Sequence, residues 1–568
     1  MHLDRLFVCS SLVVAACTAT PPASQPGSSS SPGSDDAAAF INVEVERLRP
    51  LQIAANRTWY AASVSGSDGE FARSKEADLA LDRYLSDPRR FARVKALRAA
   101  AAGSDPLMHR QLDLLYLSML GKQVDPLLLE QITTLQKQVE QQFNTYRGTV
   151  AGQVVTHNQV QEILSTSVDS ARLQAAWEAQ KGVGPVVAPK LRELVKLRNQ
   201  VAKKLGFRDF YALRLAESEL DEAQLIALFD ELDRLTRGLF LEAKSLVDRR
   251  LAERLGIGVD QLMPWHYQNP FFQAPPAVFH TGLDAIYKSQ DTLELCRRFF
   301  AGIDLPADDI IARSDLYEKP GKTPHAFAAN IDRVGDIRVL ANIVPGLRWQ
   351  TTMVHELGHA VYDKYIDPEL PWLLRQVTHP LTTEGIGMML DRLVSNPRWA
   401  EAMKVIDPSK RQATMAEARA YQAFASLQFS RWTQVMLRFE REMYRDPDQD
   451  LNTLWWELVE RYQALTRPPQ RSQPDYASKI HLVVAPVYYQ NYMLGELFAA
   501  QVHEAIARTV GETATDAVYV GDPRVGAFLK EKVFGPGARL RWDALTRHAT
   551  GHDLSPEAFA RRFGPAGN

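Results

Sequence analysis

From Ala37 onward the chain is patterned as helix, almost without punctuation. In Lys190-Leu191-Arg192-Glu193-Leu194-Val195-Lys196-Leu197, Leu225-Ile226-Ala227-Leu228-Phe229-Asp230-Glu231-Leu232 and Trp455-Trp456-Glu457-Leu458-Val459-Glu460-Arg461-Tyr462, apolar residues recur three and four positions apart. That spacing lines one face of a 3.6-residue helix. Period-two alternation is rare; the β-branched run Ile337 to Val344, stopped by Pro345-Gly346, predicts a short strand. No internal repeat and no low-complexity linker interrupts residues 37–568. The expected fold is mainly α with little β: one large helical domain, arranged in two halves.

The 568 residues are enough for several cores or for one large core divided by a cleft. A formal net charge of −2 argues against a nucleic-acid partner, which calls for a basic face. The three cysteines exclude a disulfide framework, because Cys9 and Cys17 lie near the N-terminus and Cys296 stands alone in an apolar helical context.

The N-terminus reads as an address. Leu6 to Ala16 is apolar over the length of a signal-peptide core and too short to span a bilayer. It ends in Val14-Ala15-Ala16-Cys17, which resembles the lipobox of bacterial lipoproteins, and residues 18–36 are rich in Ser, Pro, Gly and Ala. The expectation is a signal peptide over 1–16, a lipidated Cys17 leading a flexible tether over 17–36, and a folded domain over 37–568. Such a protein is exported to the periplasmic side of a bacterial membrane and touches the membrane only through its lipid.

Chemistry concentrates in His355-Glu356-Leu357-Gly358-His359. No breaker interrupts Trp349 to Ile366, so the motif is expected on a helix, where residues four apart lie one turn above each other. Two imidazoles at that spacing can share one zinc ion, with Glu356 beside the open coordination position as general base. A catalytic zinc needs a third protein ligand. Glu384, in the apolar helical stretch Leu381 to Met389, is the candidate.

Four further segments carry a resemblance. Pro324-His325-Ala326-Phe327-Ala328, Asp336-Ile337-Arg338-Val339, Lys479-Ile480-His481 and Pro486-Val487-Tyr488-Tyr489-Gln490-Asn491-Tyr492 fall in order around the zinc motif. They resemble the His-Ala-x-Ala, Asp-Phe-Arg-Ile, Lys-x-His and Pro-Tyr-x-x-Tyr segments of the angiotensin-converting-enzyme family of peptidyl-dipeptidases. The resemblance implies a deep central cleft with one zinc ion at its floor and removal of C-terminal dipeptides from peptide substrates. It also implies roles. Lys479 and Tyr489 would hold the substrate's terminal carboxylate, His481 and Tyr492 would face the developing oxyanion, and His325 with the backbone of Ala326 would align the peptide.

Three departures from the family pattern stand out. One residue more separates His481 from Tyr492, so Tyr488 could take the place of Tyr489. Met388 stands where the family has an Asp four residues after the third ligand, leaving Asp363 or Asp391 to orient a zinc histidine. Asn491 replaces the family's chloride-binding Arg. Two rival readings are a thimet-type oligopeptidase that cuts internally and an inactive peptide-binding lipoprotein, the latter disfavoured because a mere binder has no use for Glu356.

Overall fold

The computed structural model describes residues 34–101 and 105–563. Helix takes up 69% of the described residues and strand 3%, so the fold is mainly α. The expected signal peptide and Cys17 lie outside the described residues. Helix α1 (Ser34–Ser65) starts three residues before the expected domain boundary, and Ala37 is already buried. Asp36 lies in its first turn, where negative charge suits the helix dipole.

The elements that build the site are α2 (Val183–Lys204), the hairpin of β3 (Phe327–Asn330) and β4 (Ile337–Leu340), α3 (Leu347–Lys364), α4 (Pro380–Val394), α5 (Pro408–Arg445) and α6 (Gln490–Val510). The other strands, β1 (Gly148–Val150) and β2 (Gln153–Val155), form a second short hairpin remote in sequence. Strand β4 is the one expected from the Ile337 run; it pairs antiparallel with β3, Ala328 opposite Val339. One continuous apolar core runs from Leu135 to Phe559, and smaller clusters form under the N-terminal helices.

Helix α4 lies between α3 and α6. Leu381, Ile386, Met389, Leu390, Leu393 and Val394 bury it all round, each aliphatic contributing roughly 1.5–3 kcal/mol. Its start is set by His379 as N-cap, whose Nδ1 accepts the Leu381 N–H at 3.0 Å, and by Pro380 at the first helical position. Two glycines let the helices approach. A Cβ on Gly387 would lie 2.9 Å from His355 Cε1, and one on Gly385 would lie 2.8 Å from the Gly495 carbonyl. Any larger residue at either position would push Glu384 away from the histidines.

Candidate active site

The motif helix forms as expected. His355 and His359 sit on one face of α3, and Glu384 on α4 reaches them. The two Nε2 atoms are 3.0 Å apart, and Glu384 Oε2 is 3.7 Å from one and 3.9 Å from the other. Tetrahedral zinc with ligands at 2.0–2.2 Å separates ligand atoms by roughly 3.4 Å, so the triangle has the size of a zinc site. Among the described residues these three form the only such cluster of His, Cys, Asp or Glu.

The surroundings make the same case. Both Glu384 carboxylate oxygens are buried with no hydrogen-bond partner, and leaving a carboxylate so costs several kcal/mol unless a cation offsets it. His355 Nδ1 donates to Asp391 Oδ2 at 2.8 Å, and His359 Nδ1 shares a hydrogen bond with Thr383 Oγ1 at 2.6 Å. With both Nδ1 atoms so engaged, the two Nε2 atoms face the same point. Two lone pairs 3.0 Å apart repel unless a proton or metal ion lies between them. The residues present fit zinc.

The charges follow. Burial disfavours an imidazolium at His355, but the Asp391 hydrogen bond and charge, with Glu356 and Glu384, outweigh it and hold His355 up at about 9. His359 is held well below its usual value by burial and by the His355 charge. Burial raises Glu384 to about 7. Burial also raises Glu356, opposed by the His355 charge and by the Ala328 backbone N–H that donates to its carboxylate. That donor comes from β3, which packs directly on α3.

Of the two candidate partners for a zinc histidine, Asp391 takes the role. Asp363 turns instead toward Asn330 and Arg333, and burial raises it to about 6.

His325 and Ala326 lie half-buried immediately before β3. Lys479 and Tyr489 come together on a residue the sequence did not mark, Gln273. Its Oε1 accepts from Lys479 Nζ at 2.8 Å and from the Tyr489 hydroxyl at 3.5 Å. The aromatic rings of Phe271, Trp432 and Tyr489 surround the Lys479 ammonium at 5.3–5.4 Å. Tyr489 joins this cluster to the other candidates, its ring centroid lying 5.1 Å from His481 and 5.5 Å from Tyr492. Tyr489 thus keeps the position facing Gln273. The Tyr488 ring also packs on Tyr492, its centroid 5.2 Å away, and burial together with the Glu384 charge raises its hydroxyl well above the usual value.

A model of the angiotensin-converting enzyme family matches residues 34–266 and 278–566. The chain belongs to that family. Curated relatives include the mouse (Mus musculus) angiotensin-converting enzyme-like protein Ace3, 24% identical over 450 residues, 72% of this chain and 59% of that protein. The angiotensin-converting enzymes of Mesocricetus auratus and Rattus norvegicus are each 26% identical, over 396 and 391 residues, 62% of this chain and 29% of theirs. The match thus spans little more than half of the first relative and under a third of the others.

Proposed function

We propose that the chain is a zinc peptidase that releases dipeptides from the C-termini of oligopeptides. The observation that carries the reading is the placement of Lys479 and Tyr489 on Gln273, one aromatic ring away from His481 and Tyr492. A carboxylate anchor so close to the proposed oxyanion groups would measure substrate from its end.

His355, His359 and Glu384 would hold the zinc ion, whose Lewis acidity polarises the scissile carbonyl and makes water a nucleophile near neutral pH. Glu356 takes the proton of the attacking water and passes it to the leaving amine. Its raised pKa keeps it a stronger base than an exposed carboxylate, and the Ala328 N–H aims it. His481 and Tyr492 donate to the oxyanion, and losing one such donor typically costs about 10²–10³ in rate. Because Gln273 Oε1 is occupied by Lys479 and Tyr489, its Nε2 is left to donate to the substrate carboxylate beside the Lys479 ammonium. His325 and Ala326 align the chain along β3 in the cleft the family resemblance implies.

Among the described residues no helix is long and apolar enough to cross a membrane. Membrane attachment is proposed through Cys17 alone, and Cys17→Ser should release the protein from the membrane fraction.

Mass spectrometry of digests of a few unmodified peptides tests the function. Successive losses of two residues from the C-terminus are expected. Internal fragments would support the oligopeptidase instead, and absence of any product would support the inactive binder.

A further inference from the structure

Val487 has φ of 55°, a left-handed conformation that crowds a β-branched side chain and persists only where the surroundings enforce it. Two contacts enforce it here. The Val487 N–H donates to Glu440 Oε1 at 2.8 Å, and its carbonyl accepts from Gln490 Nε2 at 2.7 Å. Glu440 comes from the C-terminal part of α5 and is 1% exposed; burial holds its carboxyl up at about 8 against the pull of the Val487 amide, Arg198 and Arg214. A few residues earlier, Arg198 of α2 donates to the Leu482 carbonyl at 3.1 Å and the Val483 carbonyl at 2.7 Å. Two buried ionisable side chains, from helices that carry none of the proposed catalytic groups, therefore hold the backbone of residues 482–487 from behind.

In front of that backbone the rings of Tyr488 and Tyr489 both pack on Tyr492, at centroid distances of 5.2 and 5.5 Å, and the Tyr489 hydroxyl reaches Gln273. The left-handed residue just before them sets the direction in which the segment enters α6.

We infer that Glu440, acting through the Val487 amide, is a positioning residue that fixes this turn and so places Tyr489 at the carboxylate anchor beside His481 and Tyr492. The inference rests on the peptidase reading above. A buried carboxylate is an expensive way to fill a core position that a leucine would fill better. The Glu440 carboxyl accepts the N–H of the strained residue.

The test compares Glu440→Gln, Glu440→Ala and Glu440→Ala combined with Val487→Gly. Each is assayed for kcat and KM on a free-acid peptide, zinc content, melting temperature and calorimetric affinity for a free-acid dipeptide against its amide. Gln presents the same acceptor, so Glu440→Gln should stay within about threefold of wild type. Glu440→Ala should lose about 10–100-fold in kcat/KM, the scale of a 1 Å misplacement. It should also lose most of its preference for the free acid, with zinc content unchanged. Glycine adopts the left-handed turn without support, so Val487→Gly should restore most of both, and should do so even where Glu440→Ala alone folds poorly. The inference is overturned if Glu440→Ala keeps wild-type kcat/KM and acid preference. It is equally overturned if Glu440→Gln falls as far as Glu440→Ala, or if glycine restores the melting temperature alone. A wild-type protein that cuts no peptide refutes the peptidase reading instead, and the dipeptide affinities still read the turn.

Discussion

His355 Nδ1 donates to Asp391 Oδ2 at 2.8 Å, and Asp391 stands seven residues after Glu384 on the same helix. Seven residues are close to two turns, so a ligand and the group orienting another ligand share one face of α4. The helix that completes the metal triangle also fixes the tautomer of its first histidine. Removing such an orienting carboxylate typically weakens metal binding 10–100-fold. Asp391→Ala should therefore raise the zinc dissociation constant by about that factor, and Asp391→Asn, which still accepts a hydrogen bond, by less. Competition with a chromogenic chelator measures both. Unchanged affinity in Asp391→Ala would show that the Nδ1 contact does not tune the site.

Glu356 and Glu384 are adjacent to the same centre but have different expected roles. Glu356→Ala should abolish hydrolysis and retain a full equivalent of zinc, since its carboxylate takes a backbone N–H from Ala328 rather than a place in the triangle. Glu384→Ala should lose the metal, because its two oxygens have no other partner. Metal analysis of the purified variants decides. Zinc lost from the first, or kept at full occupancy in the second, would exchange the assignments.

Acid stability should depend on His379. Its Nδ1 caps α4 and its Nε2–H donates to the Ser218 carbonyl at 2.9 Å; burial lowers its pKa to about 4. The folded state thus keeps His379 neutral while the unfolded chain, with a value near 6.5, takes up a proton first. The stabilisation is complete above about pH 6.5 and is lost as pH falls toward 4, at up to about 1.4 kcal/mol per pH unit for one histidine. His266, also lowered to about 4 by burial, adds to the same slope. His379→Asn, which can still cap the helix, should flatten the fall in unfolding free energy between pH 6 and 4.5 by about one histidine's share. Denaturant titrations across that range check it, and an unchanged slope would contradict the assignment.

What the sequence made legible was local. The His355 to His359 helix, the Glu384 helix and the Ile337 strand follow from spacing and punctuation within a few turns. The missing parts depend on how helices pack. Gln273 lies in an irregular segment 206 residues from Lys479 and carries no motif. Asp363 and Asp391 were equal on paper; only the packing of α4 between α3 and α6 turns Asp391 to His355 and leaves Asp363 against Arg333. The turn that brings Tyr489 to Gln273 contains Val487, whose positive φ no residue type announces. Buried Glu440 reads in sequence as one more charge on a long helix.

End-directed cleavage is the central claim, and one comparison tests it most directly: the rate on a free-acid peptide against its C-terminal amide, in wild type and in Lys479→Ala. The contact between the Lys479 ammonium and a substrate carboxylate is a charge-assisted hydrogen bond, worth roughly 1.5–3 kcal/mol. Amidation should therefore lower wild-type kcat/KM by about one to two factors of ten. Lys479→Ala should depress activity on the acid and bring acid and amide together, whereas general damage would depress both alike. Dipeptide products with that convergence are the predicted result. Equal cleavage of acid and amide by wild type, with internal fragments as products, would contradict it.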